Sequence, residues 1–111
     1  MKTTPFPRPD WHIFPKEGCV GVEARVCLVD RRSVLAMLRL GENSHTDVHS
    51  APYDIHVLCM QGSGFASSGD QVTEIKAGES VLWPKGEPHN IFTKGTTMET
   101  VMLEYVGQIA E

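Results

Sequence analysis

Apolar and polar positions along this chain repeat with a period of two, not with the longer period of a helix. Val22, Ala24, Val26 and Leu28 alternate with Glu23, Arg25 and Cys27, the pattern of a strand with one buried face. Val34 to Leu40 is nearly all apolar, Arg39 excepted, which predicts a strand covered on both faces. Asp54 to Met60 is β-rich, Gln71 to Lys76 alternates again, and Ser80 to Trp83 and His89 to Thr93 are shorter segments of the same kind. In the last clear strand Val101, Leu103 and Tyr105 alternate with Thr100, Met102 and Glu104. Turn-forming residues punctuate these segments at Asp30–Ser33, Gly41–Ser44, Gly62–Gly64, Ala77–Gly78, Pro84–Pro88 and Lys94–Thr96. Ser67-Ser68-Gly69-Asp70 predicts a hairpin between Phe65 and Val72. No helical apolar pattern persists for about ten residues without a Gly or Pro. Short strands separated by frequent turn signals predict an all-β sandwich or barrel.

The chain has 111 residues, enough for one hydrophobic core. Residues 1–18 read as an extended N-terminal arm and 19–111 as the barrel domain. Trp11, Ile13 and Phe14 are too large and apolar to be left in water, so the arm is expected to dock on the barrel or on a second subunit, and a homodimer is expected. His12, in the same arm, has no claim on a site. Three cysteines, Cys19, Cys27 and Cys59, form no CxxC pair, and the N-terminus lacks the apolar core of a secretory signal. Reduced thiols in a cytoplasmic protein are expected. A net charge of −4 without a basic cluster argues against nucleic-acid binding, and no apolar run is long enough for a membrane helix.

Gly78, Pro84, Gly86 and His89 stand in the spacing G-x5-P-x-G-x2-H, and Thr93 occupies the position four residues after His89. This stretch, Gly78 to Thr93, resembles the second cupin motif, G-x5-P-x-G-x2-H-x3-N, with Thr93 where the family has Asn. A degraded first motif, G-x5-H-x-H-x3/4-E-x6-G, lies upstream. Counting back from Gly62 puts Ile55 at the family's Glu, with His49 and Ala51 at its two His positions. Counting forward from Gly41 puts Asp47 and His49 at the two His positions instead. The resemblance covers roughly Leu35 to Tyr105. It implies an all-β, cupin-type double-stranded β-helix, or jelly-roll, barrel of about seven to ten strands with the arm appended.

The family's usual site holds Fe, Mn, Ni or Zn through three His and one Glu. Carried over residue by residue, the resemblance offers His49 and His89 as metal ligands. Asp47, on the parity of His49, would complete a two-His-one-carboxylate set, and His56 would enter only if a bulge shifts the register. His45 would lie nearer the rim. The opposing reading makes His49 and His89 pocket histidines without a metal, bonded to each other, to water or to a carbonyl. Trp83 and Tyr53 are candidate pocket residues. Three functions stay open: a barrel that binds a small polar molecule such as a sugar, an acid or a metabolite, a metal-dependent dioxygenase or isomerase, and a ligand-sensing module that acts with a partner.

Overall fold

The computed structural model describes residues 1–6 and 9–110, with nothing taken from the side chain of Ala110. Eight strands and a terminal 3-10 turn follow one another: β1 (His12–Ile13), β2 (Val20–Val29), β3 (Val34–His45), β4 (Ile55–Ser68), β5 (Gln71–Lys76), β6 (Ser80–Trp83), β7 (His89–Phe92), β8 (Met98–Glu104) and the 3-10 helix Val106–Ala110. Every recorded strand pairing is antiparallel. The two longest strands close the barrel because each serves two walls. β3 pairs with β8 over Val34–Leu40 and with β7 at His45. β4 pairs with β8 over Ile55–Gly62, then with β5 over Ser63–Ser68 and with β7 over Phe65–Ser68. The ring β3–β8–β4–β7 is thereby complete, and this is a jelly-roll barrel.

A strand that changes walls must bend, and the bends explain two differences from the sequence reading. Gly41–Ser44 and Gly62–Gly64 were expected as turns that end strands. Instead β3 and β4 run through them and turn the barrel's corners there. Asn43 adopts φ 54° and Gly62 φ 74° at these corners. At Gly62 a Cβ would stand 1.9 Å from the Thr97 carbonyl oxygen, so the β4–β8 approach excludes any side chain. The hairpin at Gly69-Asp70 forms as expected between β4 and β5.

The core lies inside the barrel and includes Val22, Ala24, Leu38, Leu40, Ile55, Val57, Cys59, Ile75, Ile91, Met98 and Met102. In β8 the inward set is Met98, Thr100 and Met102, so the alternating Val101 and Leu103 lie half-buried on the outer face. Val34 to Met37 are likewise only half-buried, whereas Leu38 and Leu40 are buried. The β2 alternation holds through Ala24. A register shift between Val26 and Leu28 then buries Cys27 and leaves Leu28 exposed.

The arm docks on its own barrel. β1 pairs with β2 through His12–Ala24 and Ile13–Glu23, and the Phe14 N–H donates to the Val22 carbonyl at 2.9 Å. Trp11 lies under the guanidinium groups of Arg25 and Arg39, 4.4 and 4.5 Å from its ring centroid. Phe14 packs against the core, and Ile13 stays exposed. Two of the three apolar arm residues are thus covered without a second subunit.

Candidate functional site

The second-motif loop, Pro84–Pro88, works as a return. Gly86 takes φ 81° and donates its N–H to the Ala51 carbonyl at 2.8 Å, while the Lys85 N–H donates to Asp54 Oδ1 at 2.8 Å. These bonds join the loop to the degraded first-motif segment, and β7 starts directly after it. His49 and His89 then exchange both backbone hydrogen bonds, at 3.2 and 2.8 Å, in an isolated antiparallel bridge. Thr93, standing where the motif has Asn, accepts from the Ser44 N–H at 3.0 Å and donates to the Gly41 carbonyl at 2.6 Å. Its hydroxyl therefore holds the β3 corner from inside.

The bridge brings the two imidazoles together, with centroids 4.8 Å apart in an edge-on arrangement. His89 is 1% exposed and stacks on Trp83 at 4.1 Å and 5°. Neither His89 ring nitrogen, nor the Trp83 indole nitrogen, makes a well-formed hydrogen bond among the described residues, the Glu87 backbone offering His89 only a weak contact. Burial, reinforced by the neighbouring His49, depresses the His89 pKa to about 4, so the ring is neutral at neutral pH.

Asp47 lies beside His49, its Oδ1 3.3 Å from His49 Nδ1. The same carboxylate is engaged where the arm joins the barrel: Oδ2 is 3.1 Å from Lys16 Nζ, and the Cys19 thiol donates to Oδ1 at 3.4 Å. Burial would raise its pKa, but the bonds from Lys16 and Cys19 outweigh this and hold the carboxyl below its ordinary range. Burial pushes the Cys19 thiol up, which keeps it protonated as a donor.

The remaining candidates are placed elsewhere. His56 sits on β4 between Ile55 and Val57, which are buried, and its own ring turns the other way to the Tyr105 hydroxyl, 2.8 Å from Nδ1. No bulge brings it inside, since the β4 register slips only beyond Cys59. His45 is exposed, and its Nδ1 lies 3.3 Å from the Thr46 carbonyl. Tyr53 donates to Glu104 Oε1 at 2.7 Å; burial and this carboxylate together push its pKa up to about 12.

A cavity of about 200 Å³ opens among these groups. His49, His89, Trp83 and Ile55 line it, and so do His12 and Phe14 from the arm and Glu104 from β8. From sequence alone His12 has no claim on a site and Glu104 does not stand out. The signal for the arm was present: His12 and Phe14 share one parity, and Trp11 and Ile13 share the other.

The four-ligand metal centre of the fold family does not fit these residues. Ile55 carries no donor where the family has Glu, and Asp47 is committed to Lys16 and Cys19. Among the described residues no three His, Cys, Asp or Glu side chains converge as a metal set.

The architecture is the cupin fold. No protein-family model and no curated protein sequence matches the chain. Solved structures do. The polyketide cyclase RemF from Streptomyces resistomycificus superposes with a TM-score of 0.83 at 22% identity, covering 96% of this chain and 80% of the cyclase. A cupin-like protein from Thermotoga maritima gives 0.79 at 14%, covering 87% and 79%. A predicted oxalate decarboxylase from Thermotoga maritima gives 0.76 at 23%, covering 87% and 90%.

Proposed function

We propose that the barrel binds a small, largely apolar ring molecule whose hydroxyl reaches the His49–His89 pair. The observation that carries this reading is an apolar cavity walled by a buried imidazole that makes no well-formed hydrogen bond among the described residues. An unpartnered buried polar group costs about 1–3 kcal/mol, a cost that a ligand atom bonded there removes. The neutral His89 ring can donate or accept a hydrogen bond but carries no charge to be matched. A cavity of about 200 Å³ suits one ring with one or two substituents, since an apolar cavity of roughly 150 Å³ is known to hold benzene. Trp83, Ile55, Phe14 and Met102 supply its apolar walls. One structural neighbour is named a cyclase, an activity that yields rings, which agrees with a ring-sized site.

Titration with phenol, followed by amide and indole NMR shifts, tests the reading. Saturable shifts at Trp83, Ile55 and His89 are expected, and glucose should produce none. Absence of saturable shifts with phenol and cyclohexanol at tens of millimolar would overturn it. A stoichiometric transition metal, lost in both His49→Ala and His89→Ala, would replace it with the metal-dependent reading.

A further inference from the structure

Strand register places an acid on the wall of the cavity, at the end away from the buried His89–Trp83 pair. Ile55 of β4 is paired on one side with Trp83 of β6 and on the other with Glu104 of β8. Paired residues in a sheet point to the same face, so Glu104, Ile55 and Trp83 form one inward row, and all three line the cavity. Strands are spaced by about 4.8 Å, so the Glu104 and Trp83 backbones stand about 10 Å apart across Ile55. His89 lies against Trp83 at 4.1 Å, which puts the imidazole pair at one end of the row and the carboxylate at the other. Tyr53 holds Glu104 by its Oε1 at 2.7 Å, and Oε2 has no hydrogen-bond or ion-pair partner among the described residues. The remaining lining between the ends is chiefly apolar: Ala24, Val26, Ala36, Leu38 and Met102.

We infer that Glu104 is a second anchor of this cavity, so that its ligand is a single-ring molecule with a hydrogen-bond donor at each end. This rests on the reading of the cavity as a small-molecule site and adds to it the charge and polarity of the ligand's far end. A hydroxyl or amine there donates to Glu104 Oε2 across apolar walls, where a bond to an ionised acceptor is strong. A carboxylate there would meet the half-buried Glu104 as a like charge and be repelled. The cavity should therefore separate ligands that differ only at the end remote from the imidazoles.

Three probes of similar size make the test: phenol, 4-hydroxybenzyl alcohol and 4-hydroxybenzoate, titrated into the wild type and Glu104→Gln. In the wild type the benzyl alcohol should bind roughly tenfold tighter than phenol, and the benzoate should bind weaker than phenol. Glu104→Gln keeps an oxygen for Tyr53 and removes the charge. In this variant benzoate should bind at least as tightly as phenol does, reversing the wild-type order of those two probes. A thermal melt confirms that the variant is folded; if it is not, the wild-type order of the three probes alone decides. Phenol binding without that order, or with benzoate excluded equally by wild type and folded Glu104→Gln, would overturn the role of Glu104 and leave the cavity reading intact. No binding of any probe would overturn both.

Discussion

His49 and His89 are joined twice, by a pair of backbone hydrogen bonds at 3.2 and 2.8 Å and by edge-on rings 4.8 Å apart. The backbone bridge fixes the geometry, and the stack on Trp83 removes His89 from water. A ring so placed stays neutral far below the ordinary range of histidine. That property can be read in solution without knowledge of any ligand.

The first prediction follows from proton linkage. In the unfolded chain His89 takes up a proton near pH 6.5, whereas in the fold it does so only near pH 4. Between these values the unfolded state binds more protons, so stability falls as pH falls through this window. The loss is on the order of 3 kcal/mol by pH 4, from about 1.36 kcal/mol per pKa unit. His89→Phe keeps a flat ring on Trp83 and removes the titration. Urea denaturation should show its stability changing less between pH 6.5 and 4 than that of wild type, with the two profiles parallel above pH 7. Equal slopes in this window would contradict the burial of His89.

A second prediction concerns Thr93. Its hydroxyl satisfies the Ser44 N–H and the Gly41 carbonyl at the β3 corner. Thr93→Val preserves the shape and leaves both groups unpaired, so a loss of about 1–3 kcal/mol is expected in chemical denaturation. Thr93→Ser, which keeps the oxygen, should lose less.

Gly62 gives a third. Its positive φ and the Thr97 carbonyl leave no room for a Cβ. Gly62→Ala should cost more than about 1 kcal/mol, the amount expected from backbone strain alone, because β8 must also shift away from β4. Gly78, whose φ is 90° but whose surroundings are open, provides the control: Gly78→Ala should show only the strain. Thermal melts of the two variants separate the contributions.

These residues also show what the sequence could disclose. Gly78, Pro84, Gly86 and His89 carry the loop geometry in their own backbone preferences, so the fold could be read from their spacing. Period two in β2 and β8 located the strands, yet it did not settle which face of β8 turns inward. Val101 and Leu103 are as apolar as Met98 and Met102, and only the register with Ile55 places Glu104 inside. The two counts of the first motif disagree because regular β3 pairing ends at His45, Thr46 still bonds Ile91, and the next bridge forms only at His49–His89. Composition cannot reveal such a departure. The arm was read as docking for its apolar content, but its polar partners, Lys16 and Cys19 on Asp47, depend on a long-range contact that no local pattern encodes.

That contact leads to the last prediction. Asp47 touches Lys16, Cys19 and His49, and its Cβ lies 3.0 Å from where a Cβ on Gly18 would stand. The turn at residues 16–19 is thus seated on Asp47, and the segment ahead of it carries His12 and Phe14 to the cavity. Asp47→Ala removes the seat while leaving the barrel's own pairings in place. Hydrogen exchange at the Phe14 amide, which bonds Val22, should then accelerate by roughly tenfold, whereas the Val57 amide in the barrel core should keep its wild-type protection. The Lys16 partner is substantially exposed, so 0.5 M salt should produce part of the same acceleration in the wild type and little in Asp47→Ala. Phenol affinity should fall in the variant, because two lining residues leave the cavity with the arm. Unchanged exchange at Phe14 would mean that the β1–β2 pairing and the Trp11 stack hold the arm without Asp47. Uniform acceleration, Val57 included, would mean that Asp47 supports the whole barrel instead of the arm alone.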